Sequence, residues 1–226
     1  MYTNVNFPAP LGVIALLGFG FLLLVVAAFL LYLLLRRNFS RARLALLAAT
    51  LLTGLYLAAV LVFSASSSEQ LLARGQEKHF CELDCHLAYS IGEVTQGKTI
   101  GNPTQPATAV GMFTLISVKT RFDEKTIGPS RGNSELYPNP RTLTLVDTQG
   151  RSYQPSPAAQ AALASQAGTP ISTPLRPGES YTTTFIFDLP PEAKPATLLI
   201  NESDWITHLI IGHENSFLHK KTRFQL

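Results

Sequence analysis

Residues 11–35 (LGVIALLGFGFLLLVVAAFLLYLLL) and 44–63 (LALLAATLLTGLYLAAVLVF) carry no charged side chain and no histidine. An α-helix needs about 20 apolar residues to cross roughly 30 Å of hydrocarbon, and both runs reach that length. The second run has RRNFSRAR before it and Ser64-Ala65-Ser66 after it, the flanks of a cleavable signal. Its core exceeds the usual 7–15 residues of such signals, so an uncleaved span is the better reading. The segment between the runs, 36–43, holds Arg36, Arg37, Arg41 and Arg43. An excess of arginine marks the cytoplasmic side. The expectation is a multi-pass protein of the inner membrane, with both termini and everything after residue 63 extracytoplasmic.

The short connection predicts an antiparallel transmembrane hairpin. Gly12, Gly18, Gly20 and Gly54 offer places for close helix contact. A pathway for protons or ions would need intramembrane charge, which neither run supplies. Two helices bury little surface, so a protein partner in the membrane or envelope is expected besides the lipid bilayer.

All 15 acidic residues lie after Ser68, with 14 of the 18 lysines and arginines. The chain is therefore +4 up to Ser68 and −1 beyond it, which excludes a single soluble globule. The basic excess is one short loop and not a face of a domain, so a nucleic-acid partner is not expected.

The domain reading is an outward tail at 1–10, the hairpin at 11–63, a linker at 64–80 and an extracytoplasmic domain at 81–226. Within the last, short β-prone runs alternate with Gly, Pro, Asn and Asp. Strands are predicted near 86–95, 110–121, 141–147, 180–188, 195–200, 205–211 and 217–225, with a short helix opened by Ser156-Pro157. Seven short strands in that length fit an all-β sandwich.

The runs LTLVDTQGRSYQPS (142–155), LRPGESYTTTFIFDLPPEA (175–193) and ENSFLHKKTRFQL (214–226) resemble a bacterial family of immunoglobulin-like extracytoplasmic domains of unknown function. The shared pattern is D-x-x-G-x-x-Y, then a P-G-E turn, then F-x-F-D-x-P. The resemblance implies an immunoglobulin-like antiparallel β-sandwich outside the cytoplasm, used for binding or envelope interaction. It brings no catalytic residues.

Three groups of residues have chemical potential. Gly92-Glu93-Val94-Thr95-Gln96-Gly97-Lys98-Thr99 matches the phosphate-binding pattern G-x-x-x-x-G-K-[ST]. That mechanism needs a helix directly after the lysine. Ile100-Gly101-Asn102-Pro103 will not start one, so a strand end with a glycine turn is expected and no nucleotide.

The two cysteines stand in Cys81-Glu82-Leu83-Asp84-Cys85-His86. A local Cys81–Cys85 disulfide is the favoured reading in an oxidising compartment, with no cofactor. The alternatives are a copper site on Cys81, Cys85 and His86, which His79 is placed to join, and covalent haem on a C-x-x-x-C-H variant of the attachment motif. Two outward-ended spans before a β-sandwich are also similar to subunit II of haem–copper oxidases. That subunit's C-x-x-x-C-x-x-x-H-x-x-M motif is broken here by Tyr89 and Gly92.

Last, His208, His213 and His219 fall near the C-terminal end, with His208 read as a sandwich histidine. Lys220 and Lys221 are read as a charged strand edge that also suits anionic headgroups. No hydrolase elbow, zinc-protease helix or dinucleotide fingerprint is present, and Asp123-Glu124 reads as solvated loop. The functional expectation is a non-enzymatic, membrane-anchored binding or scaffold module, with redox or copper handling as the alternative.

Overall fold

The computed structural model describes residues 3–4, 9–80, 86–102 and 105–226. These form two compact units, one mainly β (Met1–Val5, Glu69–Asp204, Lys221–Leu226) and one mainly helical (Asn6–Ser68, Trp205–Lys220).

The helical unit is built on α1 (Ala9–Leu35) and α2 (Phe39–Ala65). Arg37 ends α1 in the left-handed region, at φ +53°. The Arg37 and Asn38 amides there donate to the carbonyls of Leu34 and Leu33, a helix-terminating pattern usually built on glycine. Asn38 caps α2, its Oδ1 accepting from Arg41 N at 3.3 Å. Ala42, Ala45, Tyr56, Val60 and Ser64 are the buried residues of α2, spaced to share one helical face. Leu33 clusters with Ala42 and Ala45, and Phe19 stacks on Tyr56 at 4.2 Å.

The glycines expected to bring the helices together do not do so: Gly18, Gly20 and Gly54 have open space where a Cβ would be. Close approach at the turn comes from Ala42 and Ala45. Gly12 is crowded instead by Ile210 and Ile211, since a Cβ there would sit 2.1 Å from the Ile211 carbonyl oxygen.

That contact corrects the strand expected at 205–211. Trp205–Leu209 is a 3-10 turn, and Trp205–Lys220 belongs to the helical unit. The apolar run WITHLII favours a strand locally, but its burial partners are helices, so no ladder forms along it. Of the strand expected at 217–225, only Thr222–Gln225 is formed.

Among its described residues the β unit has two five-stranded sheets. The first orders β1 (Thr3–Asn4), β3 (Lys78–His79), β4 (Leu87–Asn102), β5 (Gln105–Phe122) and β8 (Ser180–Leu189). The second orders β2 (Gln70–Leu72), β10 (Thr222–Gln225), β9 (Pro195–Glu202), β6 (Arg141–Asp147) and β7 (Ser152–Tyr153). Residues 64–80 are thus more than a linker, since β2 and β3 lie within them.

One apolar core joins the two sheets, with Tyr89, Ile116, Val118 and Phe187 from the first and Leu145, Leu198, Ile200 and Phe224 from the second. This is a β-sandwich. Alternation along β8 sends Phe187 into that core and Ile186 to the opposite face. On that face α3 (Pro157–Leu163) packs Ala159 and Leu163 against Phe113 and Ile186. Ser156 Oγ accepts from Ala159 N at 3.3 Å, the cap expected for this helix.

The motifs that carried the family resemblance are turn chemistry. Asp147 Oδ1 accepts from the amides of Gln149 and Arg151, and Oδ2 from Arg151 Nε and Tyr153 OH. Burial pushes this carboxyl upward, but those hydrogen bonds outweigh it and hold it at about 2. Gly150 takes the left-handed position, φ +81°. At the P-G-E turn, Glu179 Oε2 accepts from Arg176 N at 2.8 Å. Asp188 accepts from the amides of Val110 and Gly111.

Candidate functional site

The phosphate-loop pattern comes to nothing in three dimensions. Gly92–Thr99 lies inside β4, paired with β5 through two bulges between Ile91/Val94 and Gly97/Thr99. It is neither the strand end nor the turn expected, because β5 pairs with it on either side of each bulge. Lys98 Nζ donates to the carbonyls of Val110 and Gly111, at 3.1 and 2.7 Å. A phosphate cradle requires amides that converge at a helix N-terminus, and these amides lie along a strand.

Titratable groups converge instead where β3, β4 and β5 meet. Lys78 and His79 are consecutive on β3 and point to opposite faces. Lys78 Nζ enters the sandwich, donating to the carbonyls of Ile200 at 2.8 Å and Thr222 at 3.1 Å. It also lies 4.8 Å from the Phe80 ring centroid. Nearby, the Arg141 guanidinium sits 4.0 Å from the centroid of the same ring, donates to Tyr89 OH and pairs with the Glu202 carboxylate.

On the other face, His79 Nε2 stands 3.5 Å from Asp123 and 3.9 Å from Glu77. Arg121 of β5 grips Glu77 with two bonds of 2.7 Å and reaches Asp123 Oδ1 at 3.1 Å. Hydrogen bonds from Arg121 hold both carboxyls below their usual range. Arg121 is correspondingly raised, first by Glu77 and then by Asp123. Burial lowers the His79 imidazole, against the upward pull of Glu77 and Asp123. At neutral pH the network holds two carboxylates, one guanidinium and a neutral imidazole.

Glu77, His79 and Asp123 present ligand-type atoms within 4.8 Å of one another. Structural transition-metal sites take about four protein ligands. Here Arg121 already engages both Glu77 oxygens and one of Asp123's, so a metal would have to displace it. The arrangement as it stands is an ion-pair network tying β3 to β5. Asp123 is buried in it, not solvated as its loop-like sequence suggested. Sequence reasoning flagged His79 through its nearness to Cys81. It missed Glu77, Arg121 and Asp123, whose only signal is the strand pairing that brings them together.

Cys81 and Cys85 lie outside the described residues, and the disulfide and metal readings with them. His86 is described. Its ring stacks on Phe122 at 5.2 Å, and its Nδ1 meets Thr126 Oγ1 at 2.5 Å. The His86 carbonyl accepts from Asp123 N at 2.7 Å.

The C-terminal histidines belong to the helical unit. His213 is fully buried, its Nδ1 accepting from Asn215 N at 2.9 Å. His208 lies against Phe217, with ring centroids 5.3 Å apart, and not on a sandwich strand.

No family model and no curated protein matches the chain. Three solved structures are similar to it. One is a conserved hypothetical protein from Bacillus anthracis, at TM-score 0.42 and 12% identity, over 57% of this chain and 88% of that one. The secreted protein MPT63 from Mycobacterium tuberculosis aligns at 0.43 and 12%, over 72% of this chain and 100% of that one. An uncharacterized β-sandwich protein from Clostridium difficile 630 aligns at 0.40 and 10%, over 71% and 96%.

Proposed function

We propose that this chain is a membrane-anchored module that displays an immunoglobulin-like β-sandwich outside the cytoplasm for binding or scaffolding in the bacterial envelope. The observation that carries this is the exposure of α1 and α2. Leu11, Leu24, Leu35, Leu47, Leu51 and Val62 are each about two-thirds or more exposed. Helices with such surfaces need lipid around them. The four arginines cluster at the closed end of the hairpin, which the positive-inside rule places in the cytoplasm.

The test is protease added to spheroplasts of cells expressing the full chain. Digestion beyond residue 68, with a protected fragment containing residues 11–63, supports the proposal. A sandwich that stays intact until the inner membrane is broken would overturn the orientation.

A second reading assigns redox or copper handling to Cys81, Cys85 and His86. It is favoured by the His86 imidazole, whose Nδ1 contact to Thr126 and stacking on Phe122 would orient the ring as outer contacts orient metal-bound histidines. Intact mass under native and denaturing conditions separates the outcomes. Loss of two hydrogens with no adduct supports the disulfide. A copper adduct that disappears in Cys85→Ser supports the second reading, and a haem-sized adduct that survives denaturation indicates covalent haem.

A further inference from the structure

Within the helical unit, Trp205–Lys220 is turned inside out relative to a loop in water. Its polar residues His213, Glu214, Asn215 and Ser216 are all buried. Four of its large apolar side chains face outward, Trp205 at 68% exposed, Ile206 46%, Phe217 50% and Leu218 75%, while Ile210 is buried against α1. Leu218 projects from a left-handed backbone, φ +65°, which a non-glycine residue adopts reluctantly.

Part of its polar complement bonds within the segment. Asn215 Nδ2 donates to Thr207 Oγ1 at 3.1 Å, Ser216 N to the His213 carbonyl at 3.0 Å, and His213 N to the Ile210 carbonyl at 3.2 Å. Non-helical backbone is tolerated at membrane depth only when protein meets its hydrogen bonds in this way.

Its depth follows from the helices. The Phe19–Tyr56 stack and the Leu33–Ala42 packing set the register of α1 against α2. That register brings Gly12 level with Phe63, the outer end of the uncharged run of α2. Ile211 rests on Gly12 at this level. The Leu209 carbonyl accepts from Tyr56 OH at 2.9 Å, and Lys220 N donates to Ser67 Oγ at 2.8 Å.

Resting on the transmembrane reading of α1 and α2, we infer that Trp205–Lys220 is an interfacial element of the anchor. Trp205, Ile206, Phe217 and Leu218 lie in the outer leaflet, where acyl chains meet headgroups. Lipid is the occupant the observations favour. The exposed apolar side chains sit on the same unit as the lipid-facing helices, in the segment whose Ile211 rests on Gly12 and whose Lys220 meets Ser67. Tryptophan is enriched at this boundary, and the exposed Lys220 suits anionic headgroups.

Trp205 is the single tryptophan of the chain and so reports on itself. The full chain is reconstituted into phosphatidylcholine–phosphatidylglycerol vesicles and its fluorescence followed. The expected result is stronger quenching by lipids brominated near the headgroup than by lipids brominated near the chain end. Several-fold protection from aqueous iodide, relative to free tryptophan, should accompany it. Full access to iodide without bromolipid quenching would overturn the inference while leaving the anchor intact, provided the protein still floats with the vesicles after an alkaline wash. Shielding from both quenchers would mean that a protein surface covers Trp205, and would overturn it too. Loss of flotation would overturn the transmembrane reading and this inference together.

Discussion

Arg121 binds two carboxylates together, and its network gives the β unit a defined response to acid. Burial lowers the His79 imidazole. Between its folded value and the ordinary value near 6.5 the unfolded chain therefore holds more protons, and stability falls as pH falls. Glu77, Asp123 and Asp147 are also lowered. Their contribution is intact above the ordinary carboxylate range, near 4, and is lost below it. Thermal unfolding of the detergent-solubilised chain should show a Tm that is flat from about pH 7 to about 9 and declines in two stages as the pH falls below about 7. The His79→Gln variant should lose the first stage and keep the second.

Glycine makes a sharper steric prediction. A Cβ on Gly111 would lie 1.8 Å from the Leu189 carbonyl oxygen, whereas one on Gly128 would meet nothing within 4 Å. Gly111→Ala should cost about 1–3 kcal/mol in denaturant titration, and Gly128→Ala should stay within about 0.5 kcal/mol of the parent. Neither difference was legible in sequence, where Gly111 falls in the strand expected near 110–121 and Gly128 in a polar connection. The distinction is made by Leu189, which β5–β8 pairing brings alongside.

Elements were legible where their cause is local. The two helices announce themselves because an uncharged run of 20 or more residues has few other fates. β6 and β8 fall where β-branched and aromatic residues are bounded by turn chemistry, and the Ser156 cap marks α3. The misreadings share one cause: the deciding partner is distant in sequence. β4 runs through Gly92, Gly97 and Gly101 because β5 pairs with it on either side of each bulge. The run at 205–211 opens with a 3-10 turn, Trp205–Leu209, and packs on Gly12 and Tyr56 in place of a strand partner.

Two substitutions test these elements. Phe224 of β10 is fully buried in the sandwich core, so Phe224→Ala should cost about 3–5 kcal/mol in the same denaturant titration. Gly12→Leu should dislodge the Trp205–Lys220 segment from the helices, seen as a red shift of Trp205 emission. Gly18→Leu, in open space, should leave that emission unchanged.

At the scale of the molecule, the division into an apolar helical part and a β part could be read from charge alone. The assignment of Trp205–Lys220 to the helical unit could not. Patterning around residue 205 gives no hint that its burial partners lie near residues 12 and 56, and the candidate site was hidden in the same way. Glu77 and His79 are 42 or more residues from Arg121 and Asp123, and only the β3–β4–β5 ladder unites them.

The attachment of β2 carries a further consequence, in mechanics. β2 begins two residues after Ser68 and runs parallel to β10, from Thr222↔Gln70 to Phe224↔Leu72, with Arg223 Nε 2.9 Å from Glu69. Tension applied between Ser68 and Leu226 pulls the start of one strand against the end of its parallel neighbour. The bonds between them are then loaded together in shear, not peeled one after another. Held at Ser68 alone and pulled at Leu226, the β unit would load this short pair of strands first.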